Sequence, residues 1–150
     1  MSDVIFDLNA ALAELPVLGF QDGDVIVAEG KKANGIDFLK SGQVAVDRDG
    51  ERVADIGEFG FAFGDVAILL DMLALTETRA VGAVSVYAVR DVEAFSLERP
   101  ELLLHLTRGM ARKMHFMASY LTDIKKQYAD EGSHLGMVNE VLNSFLHTKH

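Results

Sequence analysis

Two rhythms of apolar residues divide the sequence. Up to Pro100 the apolar runs are short and separated by glycine, with nine of the 13 glycines lying between Gly19 and Gly64. Val25–Ile26–Val27 follows the turn-like Gln21-Asp22-Gly23-Asp24. Phe38–Leu39 leads into a Ser41-Gly42 corner, after which Val44 and Val46 alternate with Gln43, Ala45 and Asp47. Asp47-Arg48-Asp49-Gly50 is a hairpin signal, because Asp-Gly accommodates the positive φ angles of a type I′ turn. Val84, Val86 and Ala88 then alternate with Ser85, Tyr87 and Val89, a period of two. A small helix is expected around Asp7–Leu15. Residues 1–100 therefore predict that helix followed by many short strands closing into a β-roll or jelly-roll barrel.

After Pro100 the period changes. Pro100 suits the first turn of a helix, and Leu103, Leu106, Met110, Met114, Met117, Leu121, Ile124 and Tyr128 recur every three or four residues. That pattern predicts one amphipathic helix of roughly 25–28 residues. A break at Asp130-Glu131-Gly132-Ser133 separates it from a second, short helix over His134–His147. Residues 101–150 thus read as a helical arm of the same domain, and the fold class is mainly β with α.

Composition narrows the chemistry. The 150 residues carry 14 Lys+Arg against 23 Asp+Glu, a formal charge of -9, with 49% hydrophobic residues and no cysteine. Disulfides, thiolate zinc sites, cysteine-held iron–sulfur clusters and a cysteine nucleophile are all excluded. The acid is unevenly placed: residues 1–100 hold eight basic and 18 acidic residues, whereas 101–150 hold six and five. An acidic chain does not favour nucleic acid. The start MSDVIFDLN has no basic region of a secretory signal, and no apolar run approaches the ~20 residues of a membrane span. A cytoplasmic protein with no membrane or nucleic-acid partner is expected.

No enzyme is legible. Serines do not fall into a Ser/His/Asp arrangement, and Asp22 with Asp24, or Asp47 with Asp49, read as solvated turn charges. His105 and His115 are expected on solvated or interface parts of the long helix. No metal ligand set, haem ligand pair or other cofactor site emerges.

The spacing resembles a known family, the cyclic-nucleotide-binding domain found in catabolite activator proteins, regulatory kinase subunits and gated channels. F-Q-D-G-D-V-I-V-A-E-G at 20–30 is similar to the family's opening, and I-D-F-L-K-S-G-Q-V-A-V at 36–46 to its following strand, turn and strand. F-G-D-V-A-I-L-L at 63–70 resembles the phosphate-binding cassette, and A-V-G-A-V-S-V-Y-A-V at 80–89 the strand that closes the barrel.

What the resemblance implies for the cassette is partly contradicted by its residues. A glycine and a short helix start present backbone N–H groups to a phosphate, here Gly64 after Phe63. The family's ribose-binding glutamate falls on Asp65 and its cassette alanine on Ala67. Its phosphate-binding arginine falls on Ala74, and the neighbouring position on Leu75. A buried phosphate left without its arginine loses about 2–5 kcal/mol, roughly 30-fold to several-thousand-fold in affinity. Arg79, five positions on, is the nearest basic residue. Phe59, Phe61 and Phe63 alternate and are expected to point into the barrel. The pocket is read as collapsed into core; a cyclic AMP or cyclic GMP sensor with a non-standard pocket, or a sensor of an apolar small molecule, are the alternatives.

The resemblance also gives the long helix a role. In the family this helix pairs two subunits, and Leu106, Met110, Met114, Met117, Leu121 and Ile124 approximate a heptad seam. A homodimer is expected, together with an unidentified protein partner. Only 22 residues follow Tyr128, so no helix-turn-helix domain is expected. The sequence reading is a stand-alone, non-catalytic regulatory or protein-interaction module.

Overall fold

The computed structural model describes residues 7–127 and 139–144. Its elements are α1 (Leu8–Leu12), β1 (Val17–Phe20), β2 (Val25–Val27), β3 (Ile36–Arg48), β4 (Glu51–Ile56), β5 (Ala62–Phe63), α2 (Asp65–Leu69), β6 (Glu77–Val89), α3 (Val92–Glu98) and α4 (Pro100–Gln127). Two compact units emerge, Met1–Leu106 and Thr107–His150.

The frame of the first unit is the antiparallel pair β3 and β6, each 13 residues long. β1 and β2 pair with successive stretches of β6, with Val17 opposite Tyr87 and Val25 opposite Arg79. β4 and β5 do the same along β3, with Val44 opposite Ile56 and Asp37 opposite Phe63. The order is β1-β6-β3-β4, so the antiparallel sheet is not closed into a hydrogen-bonded barrel.

The Ser41-Gly42 corner is not a break. β3 runs through it, and the register with β6 shifts between Leu39 and Ser41 and again between Ser41 and Gln43. Such bulges bend and twist a strand without ending it. Gly42 has φ +93, and a Cβ there would stand 2.3 Å from the Ala83 carbonyl oxygen. The bend is therefore made by two backbones touching, which only glycine permits. The β3–β4 turn follows the sequence reading: Asp49 and Gly50 have φ +51 and +80, as a type I′ turn requires.

Leu39, Val44, Val84 and Val86 on the long strands close over Val27, Phe63, Ala67, Ala74 and Ala80 in one buried cluster. Phe61 packs against it, 5.3 Å from Phe63 between ring centroids. Phe59 does not; its ring meets Tyr87 edge-on. The period of two along Val84–Val89 is also broken by burial, because Tyr87 and Val89 are buried as well as Val86 and Ala88. Phe59 covers Tyr87 from one side, and Lys40 lies over its ring.

Several local expectations are corrected. The N-terminal helix is only Leu8–Leu12, capped by Asp7, whose side chain accepts from the Ala10 N–H. Residues 92–98 form α3, which the sequence reading passed over; its signal is Asp91, whose carboxylate accepts from the Ala94 N–H. Pro100 opens α4 as expected. His105 is not solvated: its Nε2 lies 2.8 Å from the Gly60 carbonyl oxygen and its ring 5.9 Å from Phe38. His115 is exposed. Nor are the turn carboxylates idle charges. Asp22 accepts from the Gly82 N–H, Asp24 from the Gln21 N–H, and Asp47 pairs with Arg52. Of the second predicted helix, residues 139–144 are helical; the rest of 134–147 lies outside the described residues.

Candidate functional site

The segment carrying the cassette-like motif is built to bury alanine and to turn outward its larger apolar side chains. Phe63 ends β5, buried in the core. Gly64 then turns the chain with φ +78, where a Cβ would lie 2.6 Å from the Gly35 carbonyl oxygen. α2 is one and a half turns long and ends in a two-bond C-cap. The Met72 N–H donates to the Ala67 carbonyl and the Asp71 N–H to that of Ile68. Asp71 occupies the left-handed position, φ +50, where glycine is the usual residue.

The tail after α2 is stitched down through its backbone. The Gly30 N–H donates to the Ala74 carbonyl at 2.8 Å, and the Ala74 N–H donates to the Lys31 carbonyl at 2.9 Å. Ala74 is 6% exposed and belongs to the core cluster with Ala67. Asp65 is also buried, in the first turn of α2. Leu75, by contrast, is half exposed. Arg79 sits on β6, opposite Val25 and Ala45. Its guanidinium pairs with Glu77, and Nη1 donates to the Gly23 carbonyl at 3.3 Å. The structure thus gathers Phe63, Ala67 and Ala74 in one cluster and leaves Leu75 and Arg79 on the surface.

Two open recesses flank this segment. One, of about 330 Å³, is lined by Glu29, Gly30, Arg48, Asp49 and Met72 to Leu75. The other, of about 830 Å³, lies between α2 and α3 and includes Ile68, Leu69, Arg90 and Leu97. At its edge Arg90 Nη1 donates to Asp37 Oδ1 at 2.9 Å. Burial pushes the Asp37 carboxyl up from its ordinary value, against the opposing pull of the Arg90 charge and hydrogen bond. Sequence reasoning missed this pair. Its only trace is an acid within the apolar run Ile36–Leu39.

Among the described residues no group of three or more His, Asp or Glu is placed to hold a metal ion. No described helix is long and apolar enough to cross a membrane.

The family profile described as the cyclic nucleotide-binding domain matches residues 17–103, more than half of the chain. The chain belongs to the cyclic nucleotide-binding domain family. The match covers every strand and the cassette-like segment, and the family is regulatory rather than catalytic. Solved structures with the same fold include the catabolite activator protein of Thermus thermophilus, with 22% identity, TM-score 0.64, and coverage of 79% of this chain and 58% of that one. The regulatory domain of Toxoplasma gondii PKA with cAMP aligns with 19% identity, TM-score 0.54, and coverage of 65% and 39%. A cAMP-bound PfPKA-R structure has 21% identity, TM-score 0.57, and coverage of 73% and 37%. The chain thus spans less than two-thirds of each of these structures. The comparison with curated proteins finds no match.

In the second unit, Thr107–Gln127 continues α4 as helix. Of the expected seam, Met110, Leu121 and Ile124 are half-buried, while Met114 and Met117 are exposed. Phe116 and Tyr120, which the seam omitted, are exposed too. Leu106, the first seam residue, is buried in the first unit.

Proposed function

We propose that this domain is a non-catalytic regulatory and protein-interaction module that has lost the usual binding of cyclic AMP or cyclic GMP. The observation that carries the reading is Ala74. The position of the family's phosphate-binding arginine holds an alanine buried in the core, with both backbone groups hydrogen-bonded to Gly30 and Lys31. The nearest arginine along the chain, Arg79, is already engaged by Glu77 and the Gly23 carbonyl. A phosphate here has backbone N–H groups but no charged fork, and charge-assisted contacts are about twice as strong as neutral ones.

Thermal unfolding with cyclic AMP or cyclic GMP at about 1 mM tests this. A micromolar binder would gain about 4 kcal/mol under those conditions, a shift of several degrees. We expect no shift with either nucleotide; a shift of that size with one of them restores the sensor reading. Co-purification of a small molecule in native mass spectrometry would instead favour an apolar ligand.

The same reading assigns α4 beyond Leu106 to a homodimer contact, supported by the exposed Met114 and Met117 on the predicted seam. Sedimentation of Met117→Lys and Leu121→Lys variants checks it: each should shift a dimer to monomer, and an unchanged species contradicts the seam.

A further inference from the structure

The most exposed large apolar side chains among the described residues are Leu97, at 85%, and Phe116, at 72%. They stand on two surfaces of opposite charge. Leu97 belongs to α3 and lines the larger recess, with Ile68, Leu69 and Val92 as its apolar neighbours there. The charged lining is Arg90, Asp91 and Glu93. Arg90 is bonded to the buried Asp37 carboxylate, so that pair is neutral and the other two carboxylates set the sign of the recess. Asp91 keeps its charge while capping α3, Glu93 is exposed, and exposed Glu98 follows Leu97. Among the described residues none of these three acids forms an ion pair. An open groove that joins an exposed leucine to such carboxylates suits an occupant both basic and apolar.

Phe116 belongs to α4 in the second unit. Thr107–Gln127 holds five basic residues and one acid, in a chain whose net charge is -9. Arg108, Arg112, Phe116 and Tyr120 follow one another at intervals of four, which stacks them along one flank of the helix beside the seam. All four are exposed. Among the described residues neither arginine forms an ion pair. Arginine and tyrosine are the side chains that most often anchor protein interfaces.

We propose that this α4 flank of one copy docks in the α2–α3 recess of a second copy, and that the exchange is reciprocal. Arg108 and Arg112 would face Asp91 and Glu93, and Phe116 would cover Leu69 and Leu97. Charge decides between occupants. An acidic partner meets like charge in the recess, and a large polyanion drawn to the flank meets the 18 acids against eight bases of residues 1–100. A second copy brings the matching surface in equal amount, and a two-fold axis makes both contacts at once. The proposal rests on the homodimer reading above and names a further surface for that dimer.

Sedimentation of the full-length chain over a concentration series, with charge-reversed variants, tests it. Arg112→Glu and Glu93→Arg should each weaken the dimer at least about tenfold, because each sets like charges against one another. Phe116→Ser, which changes no charge, should also weaken it. All three positions are exposed, and an unchanged Tm keeps a lost dimer from meaning a lost fold. An equimolar mixture of Arg112→Glu and Glu93→Arg should dimerise again, since both contacts of a mixed dimer then join opposite charges. A mixture that stays monomeric overturns the proposal. Dimers retained by each variant alone overturn it too, and leave the seam standing. A monomeric wild type overturns it together with the homodimer reading. If Tm falls in each variant while sedimentation is unchanged, the flank lies in the recess of its own chain, which also overturns it.

Discussion

The two sides of the segment from Gly64 to Thr76 invert the usual relation between size and burial. Facing the core are Ala67 and Ala74, the small residues, whereas Val66, Leu69, Leu70, Leu73 and Leu75 face water. The interior needs nothing larger, since Leu39, Val44, Phe63, Val84 and Val86 already fill it from the sheet. An outer face this greasy leaves about half of its apolar surface in water in the isolated domain. The contrast teaches that an apolar run states a preference for leaving water without saying which neighbour satisfies it.

The largest expected break of this contrast is Ala74→Arg, which on the proposed reading returns the family's arginine to the inner side. An arginine in that buried cluster leaves an unpaired charge, and we expect a loss of about 3–5 kcal/mol by urea unfolding. A variant that instead keeps its stability and gains cyclic AMP binding would show that only the cation was missing.

Next in size is Arg90→Ala, at the groove beside α2. Asp37 is 5% exposed, and removing its partner leaves a buried carboxylate; with Arg90 itself partly exposed, the cost is about 2 kcal/mol. The pH dependence has a definite sign. Burial raises the folded-state pKa of Asp37 above 3.8, so the folded protein holds this proton longer than the unfolded chain. Asp37 therefore contributes stability below pH 3.8 that is lost as pH rises through the raised value. In Asp37→Asn that fall should vanish from a plot of unfolding free energy against pH.

Asp71→Gly sharpens the cap between the two faces. Its left-handed φ of +50 strains a Cβ residue, and glycine relieves this while making the unfolded chain more flexible. A net gain of about 0.5 kcal/mol in chemical denaturation is expected. Smallest of the losses, site for site, is the outer face itself. Leu73→Ser with Leu75→Ser should lower stability by about 0.5 kcal/mol per site, a fall in Tm of a few degrees for the pair, because each side chain is only half buried.

Much of the frame is legible in the sequence. Asp49-Gly50 specified its turn, because two consecutive positive φ angles suit few other pairs. Pro100 marked the start of α4, since proline costs no helical hydrogen bond there. The turn at Gly64 was readable as well, since its φ of +78 is one that glycine adopts freely. Less was legible where one residue's role depends on another far along the chain. Gly42 looked like a corner, yet its purpose is to let β3 approach Ala83. His105 looked solvated, and it caps a carbonyl 45 residues away. Periodicity cannot see such pairs, since each partner is unremarkable in its own window.

By itself, then, the sequence determined the strand-rich first hundred residues, the long helix and the absence of an arginine at position 74. These follow from local backbone preference, apolar period and charge, which act over a few residues. Only the tertiary structure decided that Ala74 is core, that Arg79 is spoken for, and that the large apolar residues of the cassette-like segment face out. Burial and ion pairing depend on which distant segments meet, and the β3–β6 crossing brings them together.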